Sequence, residues 1–297
     1  MRKKRKSDLE KLFDEDTIYN TLLIDKNNKV PKTVTAKRIG VNRKCIEKKY
    51  KQYKWSLAEK TSVNENYFET IDSPDKAYFL GLLYADGCVH KNSMIIHLQE
   101  NDSHILNNFK NFLNYTGKIR NYKSKGIGRE SHKTMSHLCI SNKKLSKDLI
   151  TLGCVPNKSL ILKFPTEEQV PKRLLNHFIR GYFDGDGCIY YCESKDAYTI
   201  SIVSTLEFLT SLKEFIFDNF SIKSSKICKK NRKNTKNTYS LSINSYNHCI
   251  KFLDFIYKDS QIETRLSRKY SKFYYSYSNN KDKEKKFLTR IKSQIVL

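Results

Sequence analysis

The apolar positions fall into two dialects that recur along the chain. In DSHILNNFKNFL and LEFLTSLKEFI they return every three to four residues, the spacing of a helix with one buried face. In SMIIHLQ, HLCIS, YTISIVS and YSLSIN apolar and polar residues alternate, the spacing of a strand with one wet face. Two short runs follow neither rule. FLGLLYADGCV (79–89) and IRGYFDGDGCI (179–189) are apolar enough for fully buried helices, and each ends in Asp-Gly-Cys and a β-branched residue.

These segments form an internal repeat. After each Asp-Gly-Cys come a strand, a helix, a basic turn-rich hairpin (GKIRNY opposite SKICKK), a second alternating strand and a helix. Each half therefore reads helix–strand–strand–helix–strand–strand–helix. The expected fold is α+β: tandem pseudo-symmetric αββαββα repeats at 63–168 and 169–277, with antiparallel sheets. Pro156, Pro165 and Pro171 fall between the halves, where a connector is needed. Ser73, Pro74 and Asp75 form a helix-start signal, with Ser73 expected to cap free N–H groups. Gly87 is expected to take the left-handed conformation that ends a helix.

Residues 1–62 stand outside the repeat as a basic arm and a small all-α region. Ala36, Gly40 and Ile46 have helix-turn-helix spacing: a small residue where two helices meet, a glycine for the turn, and an apolar anchor in the second helix. Arg43, Lys44 and Lys48 then lie on or near the exposed face of a recognition helix. Residues 278–297 are expected to be a basic C-terminal tail.

Charge narrows the partners. Lys and Arg total 56 against 31 Asp and Glu, a net charge of +25 over 297 residues. Such an excess implies a polyanion, with nucleic acid first and an anionic membrane surface second. No apolar run approaches the ~20 residues of a membrane span, and no apolar segment follows the basic MRKKRK start, so neither membrane insertion nor secretion is expected. The expected location is intracellular: the cytoplasm of a bacterial or phage-infected cell, an organelle, or a nucleus. The 8 cysteines contain no Cys-x-x-Cys pair. They read as small buried hydrophobes.

Five of the 10 glycines sit in the two windows 79–87 and 179–187. Gly81 with Ala85, and Gly181 with Gly185, are four apart and share a helix face. Internal helical glycine costs roughly 1 kcal/mol relative to Ala, so a glycine face makes sense where another backbone comes close. The two helices are therefore expected to pack on each other about a pseudo-twofold axis. That packing would bring Asp86 and Asp186 out side by side. Two carboxylates at two helix C-termini repel each other and the helix dipoles, and a hard divalent cation would relieve both. Paired acids on a metal, in a strongly basic protein, point to phosphodiester cleavage.

The windows FLGLLYADG and IRGYFDGDG resemble the LAGLIDADG motif of the LAGLIDADG homing endonucleases. Gly81 and Gly181 match its third position, Asp86 and Asp186 the eighth, and Gly87 and Gly187 the ninth. The phrases LGCVPNKSLILKFP and RLSRKYSKF resemble the family's connector and the close of its second repeat. The sixth position departs, with Asp184 in one window and Tyr84 in the other; Asp184 is expected to be structural, accepting bonds from neighbouring backbone. The resemblance implies a monomeric pseudo-dimer whose sheets form a saddle over the major groove of double-stranded DNA. It implies cleavage of both strands with staggered 3′ overhangs. Asp86 and Asp186, aided by the carbonyls of Ala85 and Gly185, would hold two or three Mg²⁺ or Mn²⁺ ions between the acids and DNA, and each acid would organise attack of water on one strand. The family places a basic residue near each centre, and Lys158 and Lys269 occupy similar points in the two repeats.

Strand alternation then selects the groove-facing positions. His97 and Gln99 in the first repeat, and Ser201 and Ser242 in the second, lie opposite the apolar faces as candidates for base edges. Arg120, Lys123, Lys125, Lys229, Lys230, Arg232 and Lys233 are candidates for phosphate contacts in the basic hairpins. The alternative is a non-cutting nucleic-acid binder of the same fold, an intron maturase with intron RNA as a partner or a transcriptional regulator. Both acids being present favours the enzyme, free-standing rather than inside an intein.

Overall fold

The computed structural model of the chain describes residues 8–55, 61–123, 134–156, 158–192, 197–230 and 237–278. The chain divides into two compact units, Met1–Thr61 and Ser62–Leu297.

The first unit contains α1 (Asp8–Leu12), α2 (Glu15–Asn27), α3 (Lys32–Ile39) and α4 (Arg43–Gln52). Gly40 ends α3 at φ 77°, a left-handed conformation that favours glycine. Asn42 then starts α4, its side chain accepting from the Lys44 amide. Ala36 and Ile46 are buried with Leu9, Ile18, Leu22 and Tyr50 in a core of their own. Lys49 enters this core and is neutralised by Glu10 at 2.8 Å and Glu15 at 2.5 Å, as a buried ammonium requires.

The second unit begins with α5 (Pro74–Asp86), then β1 (Gly87–His90), β2 (Ser93–Gln99), α6 (Ser103–Phe112), β3 (Arg120–Lys123), β4 (Thr134–Ile140) and α7 (Lys143–Thr151). The short α8 (Lys158–Ile161) lies in the connector. The order then repeats: α9 (Leu175–Asp186), β5 (Gly187–Cys192), β6 (Ala197–Ser204), α10 (Leu206–Phe220), β7 (Cys228–Lys229), β8 (Tyr239–Ile243) and α11 (Tyr246–Tyr257), followed by α12 (Ser267–Ser278). Each repeat builds one antiparallel sheet, of order β1-β2-β4-β3 and β5-β6-β8-β7. The protein is thus α+β, two equivalent four-stranded sheets covered by helices.

Alternation sets the sheet faces. Ile96, Leu98, Leu138 and Ile140 are buried in one sheet, and Ile200, Ile202, Leu241 and Ile243 in the other. A single apolar core beneath both sheets includes α5 and α9. From Ala77 to Tyr84 every residue of α5 is buried, so this stretch of the helix has no wet face.

Two helix-end expectations are corrected. Ser73 is the residue before α5, but its side chain makes no capping bond; Pro74 follows it. Gly87 is extended, at φ −80°, because the chain runs straight from α5 into β1. A side chain is excluded there by crowding: a Cβ would lie 2.6 Å from the Leu83 carbonyl oxygen. The cysteines differ from expectation too. Cys154 and Cys249 are buried, whereas Cys88, Cys188 and Cys228 are exposed, because those three fall on outward strand positions.

Candidate active site

The site begins where two backbones touch. A Cβ on Gly81 would lie 2.0 Å from the Phe178 carbonyl oxygen, and one on Gly181 would lie 1.9 Å from that of Tyr78. The contact is reciprocal: each glycine receives the carbonyl three residues before its counterpart. One turn further on, a Cβ on Gly185 would lie 2.3 Å from the Ala85 Cβ and 3.0 Å from Asp86 Oδ2. α5 and α9 therefore stay in contact down to their last residues, and Asp86 and Asp186 emerge together at the base of the pair. Both side chains reach solvent.

The two acids share an adverse field. Burial on the protein side and the neighbouring Asp186 push Asp86 up to about 6, against the pull of Lys158, Lys269 and Arg268. Burial also raises Asp186, opposed first by Lys158 and Lys269. The nearby Tyr182 hydroxyl, which bonds to the Val203 carbonyl (2.9 Å) and Ser204 Oγ (2.8 Å), also favours its charged form, a neighbour that sequence reasoning missed. Among the described residues no ion pair reaches either carboxylate, and no cluster of three His, Cys, Asp or Glu side chains exists. The donor set is two hard oxygens-bearing groups with charge to spare. That suits a divalent ion whose remaining ligands come from water and a substrate phosphate.

Lys158 and Lys269 lie at matching places, but they address the helices. Lys158 Nζ donates to the carbonyls of Leu83 (2.8 Å), Tyr84 (2.6 Å) and Ala85 (2.5 Å). Lys269 Nζ donates to Phe183 (2.6 Å), Asp184 (2.7 Å) and Gly187 (2.5 Å), with Gly185 at 3.5 Å. Each ammonium thus neutralises the free carbonyls and negative dipole of one helix C-terminus, beside the acid that ends it. Burial lowers both lysines, Lys269 to about 8. The Ala85 carbonyl, a candidate metal ligand, already accepts one of these bonds.

Asp184 is fully buried and accepts from Tyr257 Oη (2.6 Å), Tyr78 Oη (2.9 Å) and the Leu266 amide (2.8 Å). Burial still raises it despite those donors. Beside it lies Arg180, unnoticed in the sequence, also without exposed surface. Its guanidinium donates to the carbonyls of Thr264 (2.8 Å) and Ile256 (3.0 Å), to Thr264 Oγ1 and to His177 Nδ1. The signal was available: an arginine inside an otherwise apolar helix needs buried acceptors.

The remaining candidates lie on the outer surfaces. His97 stacks on His137 with ring centroids 4.6 Å apart, and its Nδ1 is 3.0 Å from Tyr122 Oη. Gln99 at the end of β2, and Arg120 and Lys123 on the edge strand β3, are exposed. Ser201 and Ser242 are direct partners across β6 and β8. Lys229 lies exposed in β7 and Lys230 just beyond it. Lys125, Arg232 and Lys233 lie outside the described residues. In the first unit Arg43, Lys44 and Lys48 are exposed on α4, with Arg43 paired to Glu47 at 2.8 Å.

A family model described as LAGLIDADG-like domain matches residues 73–151 and 174–257, more than half of the chain. The chain belongs to this family. The probable translation initiation factor IF-2 of Methanocaldococcus jannaschii is 30% identical over 166 residues, covering 54% of this chain. The chain spans only 13% of that protein's length. Among solved structures, the homing endonuclease I-WcaI bound to its DNA recognition sequence matches at TM-score 0.48 and 14% identity, over 67% of this chain and 89% of that one. The LAGLIDADG meganuclease I-AabMI bound to uncleaved DNA matches at 0.44 and 14%, over 72% and 92%. Full-length DUF199/WhiA from Thermatoga maritima matches at 0.42 and 16%, over 78% and 72%. No described helix is long and apolar enough to cross a membrane.

Proposed function

We propose that the protein is a site-specific, divalent-metal-dependent endonuclease of double-stranded DNA. The supporting observation is the pair Asp86 and Asp186, delivered together by two helices whose glycines permit backbone contact. Nothing about folding requires two acids there, since burial raises both, Asp186 raises Asp86 further, and both oppose the helix dipoles. Asp86 and Asp186, with the carbonyls of Ala85 and Gly185, would hold Mg²⁺ or Mn²⁺. A cation bound there supplies Lewis-acid charge to the scissile phosphates.

The chain's own groups do the rest. Each acid serves one strand across the minor groove, which yields a staggered cut with 3′ overhangs. Lys158 and Lys269 hold positive charge at the helix ends, countering the charge that builds on phosphate. The outward sheet faces read the major groove through His97, Gln99, Ser201 and Ser242, and Arg120, Lys123, Lys229 and Lys230 track phosphate. Arg43, Lys44 and Lys48 add a second DNA contact from the helical unit. The protein acts as a monomer, the two repeats replacing two subunits.

A non-cutting nucleic-acid binder is favoured by one observation: Lys158 is already engaged by three carbonyls and offers phosphate no free N–H. A library of duplex sites incubated with the protein and Mg²⁺ separates the two. Site-specific double-strand breaks are expected. Asp86→Asn should lower the cleavage rate by about 10³-fold or more while duplex binding persists. Binding without cleavage in Mg²⁺ and Mn²⁺ would establish the binder instead.

A further inference from the structure

The residue at the sixth motif position differs between the repeats, Tyr84 in one and Asp184 in the other, yet both make the same pair of connections. The Tyr84 hydroxyl donates to the Leu152 carbonyl at 2.5 Å. That carbonyl belongs to the residue that caps the end of α7, six positions before Lys158, and Lys158 Nζ returns to the Tyr84 carbonyl at 2.6 Å. In the second repeat the Asp184 carboxylate accepts from the Leu266 amide at 2.8 Å. Leu266 opens the first turn of α12, which carries Lys269, and Lys269 Nζ returns to the Asp184 carbonyl at 2.7 Å. In each case one residue grips the lysine-bearing segment twice, by its side chain at the near end and by its carbonyl at the ammonium.

The surroundings are shaped around these grips. Gly153 sits at φ +98°, and a Cβ there would lie 1.9 Å from the Tyr84 hydroxyl. The turn after α7 therefore has a glycine where the hydroxyl needs room. Asp184 is fully buried, a position where an unpaired acid is expensive, and three donors are arranged to meet it. Core filling alone would be better served by leucine in both places.

We propose that Tyr84 and Asp184 are positioning residues, each setting the lysine of its own repeat independently of the other. On the nuclease reading, each then governs cleavage of one DNA strand.

The test uses the full chain and follows two lysines separately. Brief acylation with an amine-reactive ester, read by peptide mass spectrometry, reports how freely each ammonium leaves its carbonyls. Losing one hydrogen bond should raise Lys158 labelling by about fivefold in Tyr84→Phe, with Lys269 unchanged. Asp184→Asn should do the reverse. Tyr84→Phe removes only an oxygen, so this arm decides the matter if Asp184→Asn fails to fold. Labelling of neither lysine, or of both together in either variant, would overturn the proposal, because a general loosening of the helix pair moves both. With strand-labelled duplex, the two variants should slow opposite strands by about tenfold; slowing of the same strand would also overturn it. Wild-type protein that cuts nothing would defeat the nuclease reading, while the labelling result would still decide the positioning roles.

Discussion

The two repeats agree where their backbones touch and disagree where they do not. Gly81 and Gly181 are interchangeable in geometry, each receiving a carbonyl of the other helix. Elsewhere on the same helices, Ala77, Leu80, Leu82 and Tyr84 of α5 stand against His177, Arg180, Tyr182 and Asp184 of α9. All of these side chains are buried. α5 reaches this by being apolar, whereas α9 carries a hydrogen-bonded charged network that crosses to Tyr78 of α5 and to the stretch 256–266. Backbone contact admits one solution at a glycine-wide gap. Side-chain positions admit several, provided that every polar group is paired. The symmetry of the site is thus enforced at the helix crossing, and each repeat is free to stabilise its half differently.

The network of α9 offers the largest break in that comparison. Arg180→Leu writes the α5 residue into α9, leaves His177, Thr264 Oγ1 and two carbonyls without their donor, and removes a cation neighbouring Asp184. The expected loss is about 3–5 kcal/mol, the cost of breaking a buried charged set by removing one member. Adding Asp184→Asn should return at least about 1 kcal/mol, because the orphaned charge is gone. Urea unfolding of both variants measures this; strictly additive losses would mean that the two charges do not support each other.

The glycines come next. Gly81→Ala and Gly181→Ala each place a methyl within 2.0 Å of a helix carbonyl oxygen. Neither backbone can yield without parting the helices, so about 3 kcal/mol is expected for each. The contact is reciprocal, so the losses should agree. Unequal values would show that one helix end moves more freely than the other, and a neutral Gly181→Ala would contradict the close crossing.

The same distinction decides what could be read from the sequence. Strand faces were legible because period-two alternation has only two phases, and Ile96 and Leu98 fix which is buried. The helix pair was legible because glycine four residues from another small residue, twice, has few other uses. Arg180 and His97 were not legible as partners. Their contacts run to Thr264, Ile256, His137 and Tyr122, residues brought near only by the completed fold. The lysines fall between these cases: their place followed from the repeat, but the helix carbonyls they bind could not, since no periodicity reports where a flexible four-carbon stem points. Gly87 misled because a helix-ending glycine usually signals a left-handed residue, whereas here it marks a strand starting without a turn.

A smaller effect separates the repeats by pH. His177 accepts from the Arg180 guanidinium at 2.8 Å, so its neutral form is the one that fits. Burial and the adjacent Arg180 lower it to about 4, with Asp259 pulling the other way. Its counterpart in the first repeat is Ala77, which cannot titrate. Because the unfolded chain takes up the proton near pH 6.5 and the folded one only near 4, this contribution is complete above pH 6.5. It is lost as the pH falls through that window. Allowing for solvent screening, the loss between pH 7 and 4.5 should be about 1–2 kcal/mol. His177→Gln keeps an acceptor for Arg180 and removes the titration. Urea midpoints at the two pH values should therefore fall further in the wild type than in His177→Gln, while equal shifts would place the acid sensitivity in groups that both repeats share.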